Sequence, residues 1–494
     1  MNAPRMPPTL RLAPLALALA AACGRGAPPA TPSPEADIAR VTTTLRAPVR
    51  LAGTPPVAYA LADRMAHYKV PGVSIAVVQD GRIAWARGFG VREAGTRDSV
   101  TAETVFQAAS ISKPVTATAM LRLVEAGRLD LDAPVNTYLT SWRLPDSRFT
   151  AHEPVTLRRI VAHNAGLTVH GFPGYAQGAP VPTVPQLLDG AAPANTRAVR
   201  VDTTPGAITR YSGGGTTIEQ LVLTDVTGEP FPALLQRLVL APAGMAASGY
   251  LQPLPPERHA RAAAGHAIDG TMIPGRWHTY PELAAAGLWT TPSDLMRWAL
   301  AVAASRDSAP GALLRPATAR HMLAEHAAGG FGLGPQVQGT GDGFWFGHGG
   351  ANEGYRAQVV YFPARRTGAA VMTNSDAGSA LIDEILFAIA ETYGWVGRAP
   401  REVTVATTDS AALDAHVGTY AGADPPGVRL HVTRQGTRTF VEVPGFVARG
   451  EVVFTAAHEA TSLETGNVVT FGTDAAGRVD RVSLGGTVLR RLGR

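Results

Sequence analysis

"AASISKPVTATAM", residues 108–120, contains Lys113, one of only two lysines in 494 residues, the other being Lys69. With 44 Lys and Arg in total, nearly every positive charge in the chain is an arginine. A lysine three residues after Ser110 therefore needs a reason that arginine cannot meet. A helical pattern runs from Pro114 to about Ala126, with Gly127 as its stop. If the helix begins near Ser110, that serine and Lys113 lie one turn apart on the same face. The first-turn N–H groups and the helix dipole then favour negative charge beside Ser110. A serine hydroxyl is a weak nucleophile until a neighbour removes its proton. Lysine can do so once burial and nearby positive charge lower its pKa from about 10.4. Arginine stays protonated in proteins. The alternative is that Ser110 only caps a helix. Ser112 is a poorer nucleophile candidate, because adjacent helical positions do not face each other.

Two further stretches can join this chemistry. In "RYSGGG", residues 210–215, small residues follow Tyr211 and let a phenol stand at a cleft edge. A tyrosinate, or a tyrosine sharing its proton with Lys113, can relay a proton to a leaving group. Taken alone the stretch is a loop with an aromatic. In "FGHGGANEGYRAQVVYFP", residues 346–363, His348 precedes Gly349 and Gly350 and then a strand. Glycines beside a sheet edge admit a substrate backbone, and a free N–H there can act as an oxyanion donor. A lone histidine is otherwise structural.

Other chemistries lack their motifs. There is no G-x-S-x-G elbow, and His458-Glu459 is not followed by the second histidine of H-E-x-x-H. One cysteine allows no disulfide and gives a zinc site little support, so no metal or cofactor is expected. A net charge of +5 without a Lys/Arg-rich run points away from nucleic acid. The expected partner is a small-molecule or peptide substrate.

The N-terminus, "MNAPRMPPTLRLAPLALALAAACGRG", has arginines followed by an apolar run from Leu12 to Ala22. That run is too short to span a bilayer but suits an export signal. Cys23 follows "LAAA", so two readings are open: a lipoprotein signal that acylates Cys23 and tethers the protein to a membrane, or ordinary cleavage with an incidental cysteine. Either predicts export, to the periplasmic side of a bacterial membrane.

Residues 24–50 are rich in Pro, Ala and Thr and read as a tether. Strands are predicted at Val73–Val78 and Arg82–Phe89, joined by an Asp80-Gly81 hairpin turn. Thr291, Pro292 and Asp294 mark a structural helix start. Strands return at 355–363 and 367–374. A helix follows, with Leu381, Ile382, Ile385, Leu386 and Ile389 on one face. Strands at both ends and helices between them predict an α/β domain with an inserted helical subdomain, over 51–398. From 399 to 494, short strands and Gly-containing turns predict a small antiparallel β domain for packing, specificity or docking.

Ser-x-x-Lys, then Tyr-x-Gly about a hundred residues later, then His-Gly-Gly before a strand resemble the motif set of the serine β-lactamase and penicillin-binding-protein-like hydrolases. The similar branch is the one with Tyr in its second motif: class C β-lactamases, D-Ala-D-Ala carboxypeptidases, D-aminopeptidases and esterases. The likeness covers about 55–395 and includes "LRRIVAHNAGL" around His163 and "AAAGLWTTPSDLMRW". It implies an α/β fold of β-lactamase/transpeptidase type, an antiparallel sheet flanked by helices. It also implies that Ser110 is acylated, Lys113 is its general base, Tyr211 moves the proton, and His348 stands where many relatives have Lys. The N–H groups of Ser110 and Ala351 would form the oxyanion hole, with Gly213, Gly349 and Gly350 around the substrate, and His163 supporting the fold. Gly213 departs from the usual Asn, and His348 replaces a permanent charge with a group that titrates near neutrality. Both weaken the case for β-lactam hydrolysis. The implied function is an exported serine hydrolase of amides or esters such as D-amino-acid peptides, peptidoglycan fragments or short esters. The alternative is a non-catalytic or slowly deacylating penicillin-binding sensor of the envelope.

Overall fold

The computed structural model describes residue 1 and residues 34–493, apart from 408, 423–427, 445–446 and 486. The stretch expected to be an export signal, with Cys23, lies outside the described residues. The central sheet has six strands: β1 (Gly72–Gln79), β2 (Arg82–Gly90), β3 (Gln336–Gln338), β4 (Trp345–Asn352), β5 (Tyr355–Phe362) and β6 (Thr367–Thr373). Their order is β2-β1-β6-β5-β4-β3, with every neighbouring pair antiparallel. The hairpin forms as expected, because Asp80 and Gly81 both take positive φ, 55° and 75°. Pairing of β1 with β6, Val73 opposite Thr373, joins the two ends of the domain. The principal helices are α1 (Pro34–Thr43), α2 (Leu61–His67), α3 (Ser112–Glu125), α4 (Gly213–Thr227), α5 (Pro292–Arg306) and α6 (Gly378–Tyr393). Among the described residues no helix is long and apolar enough to cross a membrane.

Each face of the sheet has its own core. On one, α6 buries Leu381, Ile382, Ile385, Leu386 and Ile389 against Val73, Ile75 and Val77. On the other, Ala76 and Val78 meet α3, α5 and the helical subdomain. Helix α3 is buried along almost its whole length, and the positive φ of Gly127, 69°, turns the chain just beyond its end. Helix α5 starts as predicted. Thr291 Oγ1 accepts from Asp294 N–H at 3.2 Å, and the Asp294 carboxylate accepts from Ser248 Oγ at 2.7 Å and Ala247 N–H at 2.9 Å.

The tether expectation needs correction from residue 34 onward. Ile38, Val41 and Leu45 recur at helical spacing and bury against the core under α6. Glu35 and Asp37 in the first turn suit a helix N-terminus. Val49–Leu51 pairs in parallel with Arg401–Val403. A Pro- and Ala-rich composition hid a short apolar stripe.

The C-terminal strands close into an eight-stranded barrel between Gly418 and Arg491, sealed by Tyr420 opposite Arg491. Closure removes sheet edges, and the barrel interior is filled by side chains including Tyr420, Leu430, Phe454, Phe471 and Val482. It docks through His67 Nε2 to Glu464 at 2.7 Å and through Arg401 to Thr461 and Gly466. His67 ends α2, whose Leu61 and Met65 belong to the core under α6, across the sheet from α3.

Candidate active site

A single 3₁₀ turn, Ala109–Ile111, precedes α3 and carries Ser110. Ala109 holds φ of 49°, a left-handed conformation that strains a residue with a side chain by about 1–3 kcal/mol. The surrounding contacts hold the turn in place. Ala108 N–H donates to the Leu288 carbonyl at 2.8 Å. Ser112 Oγ donates to the Ala109 carbonyl at 2.6 Å and accepts from Leu288 N–H at 3.0 Å. Ser112 is thus a structural brace. Ser110 caps nothing: neither the turn nor α3 has a side-chain cap. Its Oγ instead accepts from Lys113 Nζ at 3.1 Å, and Nζ also donates to the Ala285 carbonyl at 2.8 Å. Burial pushes the Lys113 ammonium down to about 7, with Glu219 opposing.

Tyr211 precedes α4, whose first turn is Gly213–Gly215, so the stretch expected as a loop is half helix. Ser212 is the N-cap, its Oγ accepting from Gly215 N–H at 2.9 Å. The glycines are needed for close packing: a Cβ at 214 would stand 2.7 Å from the Val199 side chain. The Tyr211 ring lies under Lys113 Nζ, 4.9 Å from its centroid. His163 stacks against the ring at 4.3 Å between centroids and His170 at 4.9 Å, with His348 at 5.9 Å. Burial raises Tyr211 above the ordinary tyrosine range while the Ser110 hydroxyl opposes. The phenol is therefore neutral at neutral pH, which leaves the shared-proton role and removes the tyrosinate. Its Oη is buried and, the Ser110 hydroxyl aside, has no hydrogen-bond partner among the described residues.

His348 lies on β4, where the strand leaves its neighbour. β3 ends opposite Gly347, so 348–352 have an uncovered edge. In the tight hairpin Asn352 faces Tyr355, and antiparallel alternation then turns the N–H groups of Gly349 and Ala351 toward that open edge. Gly350 lets the strand approach Ser110: a Cβ there would stand 2.2 Å from the Ala108 carbonyl oxygen. Buried Asn352 secures the strand from behind, donating to Gln107 Oε1 at 2.7 Å and to the Ala286 carbonyl at 3.1 Å.

His348 does not titrate near neutrality. Burial, and then Lys113, push it down to about 4, with the Gly349 carbonyl opposing. That carbonyl is 2.6 Å from Nδ1 and can only accept, so Nδ1 carries the proton. Nε2 is left as a buried lone pair with no partner among the described residues. His163 is the converse case. Its Nδ1 accepts from Ser212 N–H at 3.3 Å, which leaves Nε2–H without a partner among the described residues.

The structure thus brings Ser110, Lys113, Tyr211 and His348 to one place, with Gly349, Gly350 and Ala351 beside them. Gly213 is the exception. It is buried under Phe172, and its N–H is used on the His170 carbonyl at 3.0 Å, so it presents nothing to a substrate. Two features had no motif to announce them, His170 and Glu219, while the Ala285 carbonyl lies in the "AAAGLWTTPSDLMRW" stretch, where nothing marked it as an acceptor for Lys113. Only Glu219 left a trace, as an acid within the apolar run "TTIEQLVL".

A profile of the Beta-lactamase family matches residues 57–392. A D-aminopeptidase of Brucella anthropi is 26% identical over 317 residues, 63% of this chain and 58% of that protein. The chain therefore aligns with somewhat more than half of that relative's length. Esterase EstB of Burkholderia gladioli is 28% identical over 334 residues, 60% of this chain and 77% of the esterase. Among solved structures, the octameric penicillin-binding protein homologue from Pyrococcus abyssi shares the fold. Its TM-score is 0.60 at 21% identity, covering 87% of this chain and 98% of that one. With its serine-lysine pair, tyrosine and His-Gly-Gly strand assembled on this sheet, the chain belongs to the Beta-lactamase family.

Proposed function

We propose that the protein is an exported serine hydrolase that forms an acyl-enzyme on Ser110 and then hydrolyses it. The observation that carries this reading is the contact of Lys113 Nζ with Ser110 Oγ at 3.1 Å, made by a lysine whose burial brings it to about 7. Lys113 takes the Ser110 proton as Oγ attacks the carbonyl, and Tyr211 passes that proton to the leaving group. The N–H groups of Ser110 and Ala351 receive the oxyanion. Neutral His348 offers an acceptor where a lysine would offer a charge. It gives no attraction to a substrate carboxylate, so uncharged esters and amides suit the site better than peptides ending in a free D-Ala carboxylate. D-aminopeptidase and esterase names among the relatives support the same substrate classes.

A fluorophosphonate probe should label the wild type and not Ser110→Ala, and p-nitrophenyl butyrate turnover should vanish with the label. Equal labelling of both proteins would overturn the assignment. A short ester, a D-amino-acid amide, a D-Ala-D-Ala peptide and nitrocefin, compared by kcat/KM, should rank with the first two ahead. Export and lipidation at Cys23 belong to the same proposal. Palmitate labelling in cells should be lost in Cys23→Ala, and labelling that survives would refute lipidation there.

A further inference from the structure

His163 lies just beyond the short helix Leu157–Val161 and holds φ of 58°, a left-handed backbone that is costly for a residue with a side chain. From that strained turn it makes three contacts with the segment that carries Tyr211. Its carbonyl accepts from Arg210 N–H at 2.7 Å, and its Nδ1 accepts from Ser212 N–H at 3.3 Å. The two bonds grip the residues on either side of Tyr211. Between them the imidazole stacks on the phenol ring, 4.3 Å between centroids with a tilt of 38°. Phe331 packs edge-on against the imidazole at 4.8 Å. Arg210 is tied to the same loop by its guanidinium, which donates to the Gly166 carbonyl at 2.9 Å and the Leu167 carbonyl at 3.2 Å. Tyr211 has little else to fix it, since the Ser110 hydroxyl is the one hydrogen-bond partner of its Oη among the described residues. His163 is 2% exposed, which suits a support rather than a group that meets substrate.

We infer that His163 is a positioning residue that acts through Tyr211, holding the phenol where it can hand the Ser110 proton to the leaving group. In that step the phenol proton passes to the leaving oxygen or nitrogen while Oη receives one from the Lys113 ammonium. The bond from the carbonyl carbon to the leaving atom breaks, and its electron pair stays on that atom. The oxyanion pair re-forms the C=O π bond. His163 exchanges no proton and touches no reacting atom. Its part is geometric, because proton transfer fails beyond hydrogen-bond reach and a phenol displaced by about 1 Å loses most of the step. Histidine suits the post because one side chain supplies both an acceptor for a backbone N–H and a face for the phenol. Phenylalanine would supply only the face, and asparagine only the acceptor. The consequence is selective. An alkoxide or an amide nitrogen needs a proton to leave, whereas p-nitrophenolate leaves as an anion, so only the first kind of substrate needs Tyr211 in place.

The role of His163 rests on the acyl-enzyme mechanism proposed above, with Tyr211 as proton carrier, so Tyr211→Phe is measured alongside. Ethyl butyrate and p-nitrophenyl butyrate form the same acyl-enzyme and differ in the leaving group. The ratio of their kcat/KM values, ethyl over p-nitrophenyl, therefore reports acylation and does not depend on the fraction of protein folded. His163→Asn keeps an acceptor and tolerates the left-handed backbone but removes the ring. It should lower the ratio by about 10- to 100-fold. His163→Phe keeps the ring and gives up the acceptor, and should lower the ratio by about threefold or more. Tyr211→Phe should lower it most, and adding His163→Asn to that variant should lower it no further. A merely structural role would reduce both activities together. A ratio unchanged in the two His163 variants, or losses that multiply in the double variant, would overturn the inference while leaving Tyr211 its role. A ratio unchanged in Tyr211→Phe would instead remove Tyr211 from the mechanism, and His163 with it.

Discussion

The two faces of the central sheet treat buried charge in opposite ways. Under α6, Arg64 meets Glu384 in a two-pronged pair, Nε to Oε2 at 2.8 Å and Nη2 to Oε1 at 2.6 Å, and Tyr68 Oη adds a bond at 2.8 Å. Beside α3, by contrast, Glu219 Oε1, His163 Nε2 and His348 Nε2 are buried without partners among the described residues, and Tyr211 Oη has only the Ser110 hydroxyl. The first face uses its polar groups on one another and gains a unique, rigid arrangement. The second leaves them unanswered at a cost in stability, and so keeps them free for a substrate and a moving proton.

Breaking the reactive face should have the largest effect. Lys113→Arg keeps a cation but cannot lose its proton, so kcat/KM on p-nitrophenyl butyrate should fall by about 10⁴-fold with circular dichroism unchanged. Near-normal turnover would remove Lys113 from the mechanism. Glu384→Ala breaks the satisfied face and strands Arg64. It should cost about 3–5 kcal/mol in urea unfolding while turnover per folded molecule stays the same. Gly350→Ala drives a methyl into the Ala108 carbonyl and displaces β4 from the serine turn. About a 10²-fold loss of kcat is expected, with little change in melting temperature.

The pH profile sharpens the same contrast. Lys113 has a lowered pKa, so its base form prevails above about 7 and is lost below it. Consequently kcat/KM should drop about tenfold per unit on the acid side, with no His348 limb until near pH 4. An acid limb beginning far above 7 would mean that burial does not tune the lysine. The smallest effect lies on the α3 face but away from the serine: Thr291→Ala removes the α5 cap and should cost about 1 kcal/mol, leaving kinetics alone.

Much of this arrangement is local and therefore written along the chain. One helical turn separates Ser110 from Lys113, Asp80-Gly81 makes a hairpin wherever it sits, and the α6 stripe shows its buried face by spacing alone. Even where composition misled, in the helix Pro34–Thr43, the signal was present as Ile38 and Val41. Closure of the barrel, burial of Gly213 and burial of Glu219 depend on segments distant in sequence, and no short motif records them. The same is true of protonation. A lysine at position 113 was legible as a base in waiting, and His348 as a histidine beside an oxyanion strand. How far each is lowered depends on how completely the rest of the fold excludes water around it, because desolvation sums over every neighbouring element. Residue types and their short-range spacing came from the sequence; their charge states were decided by the tertiary structure.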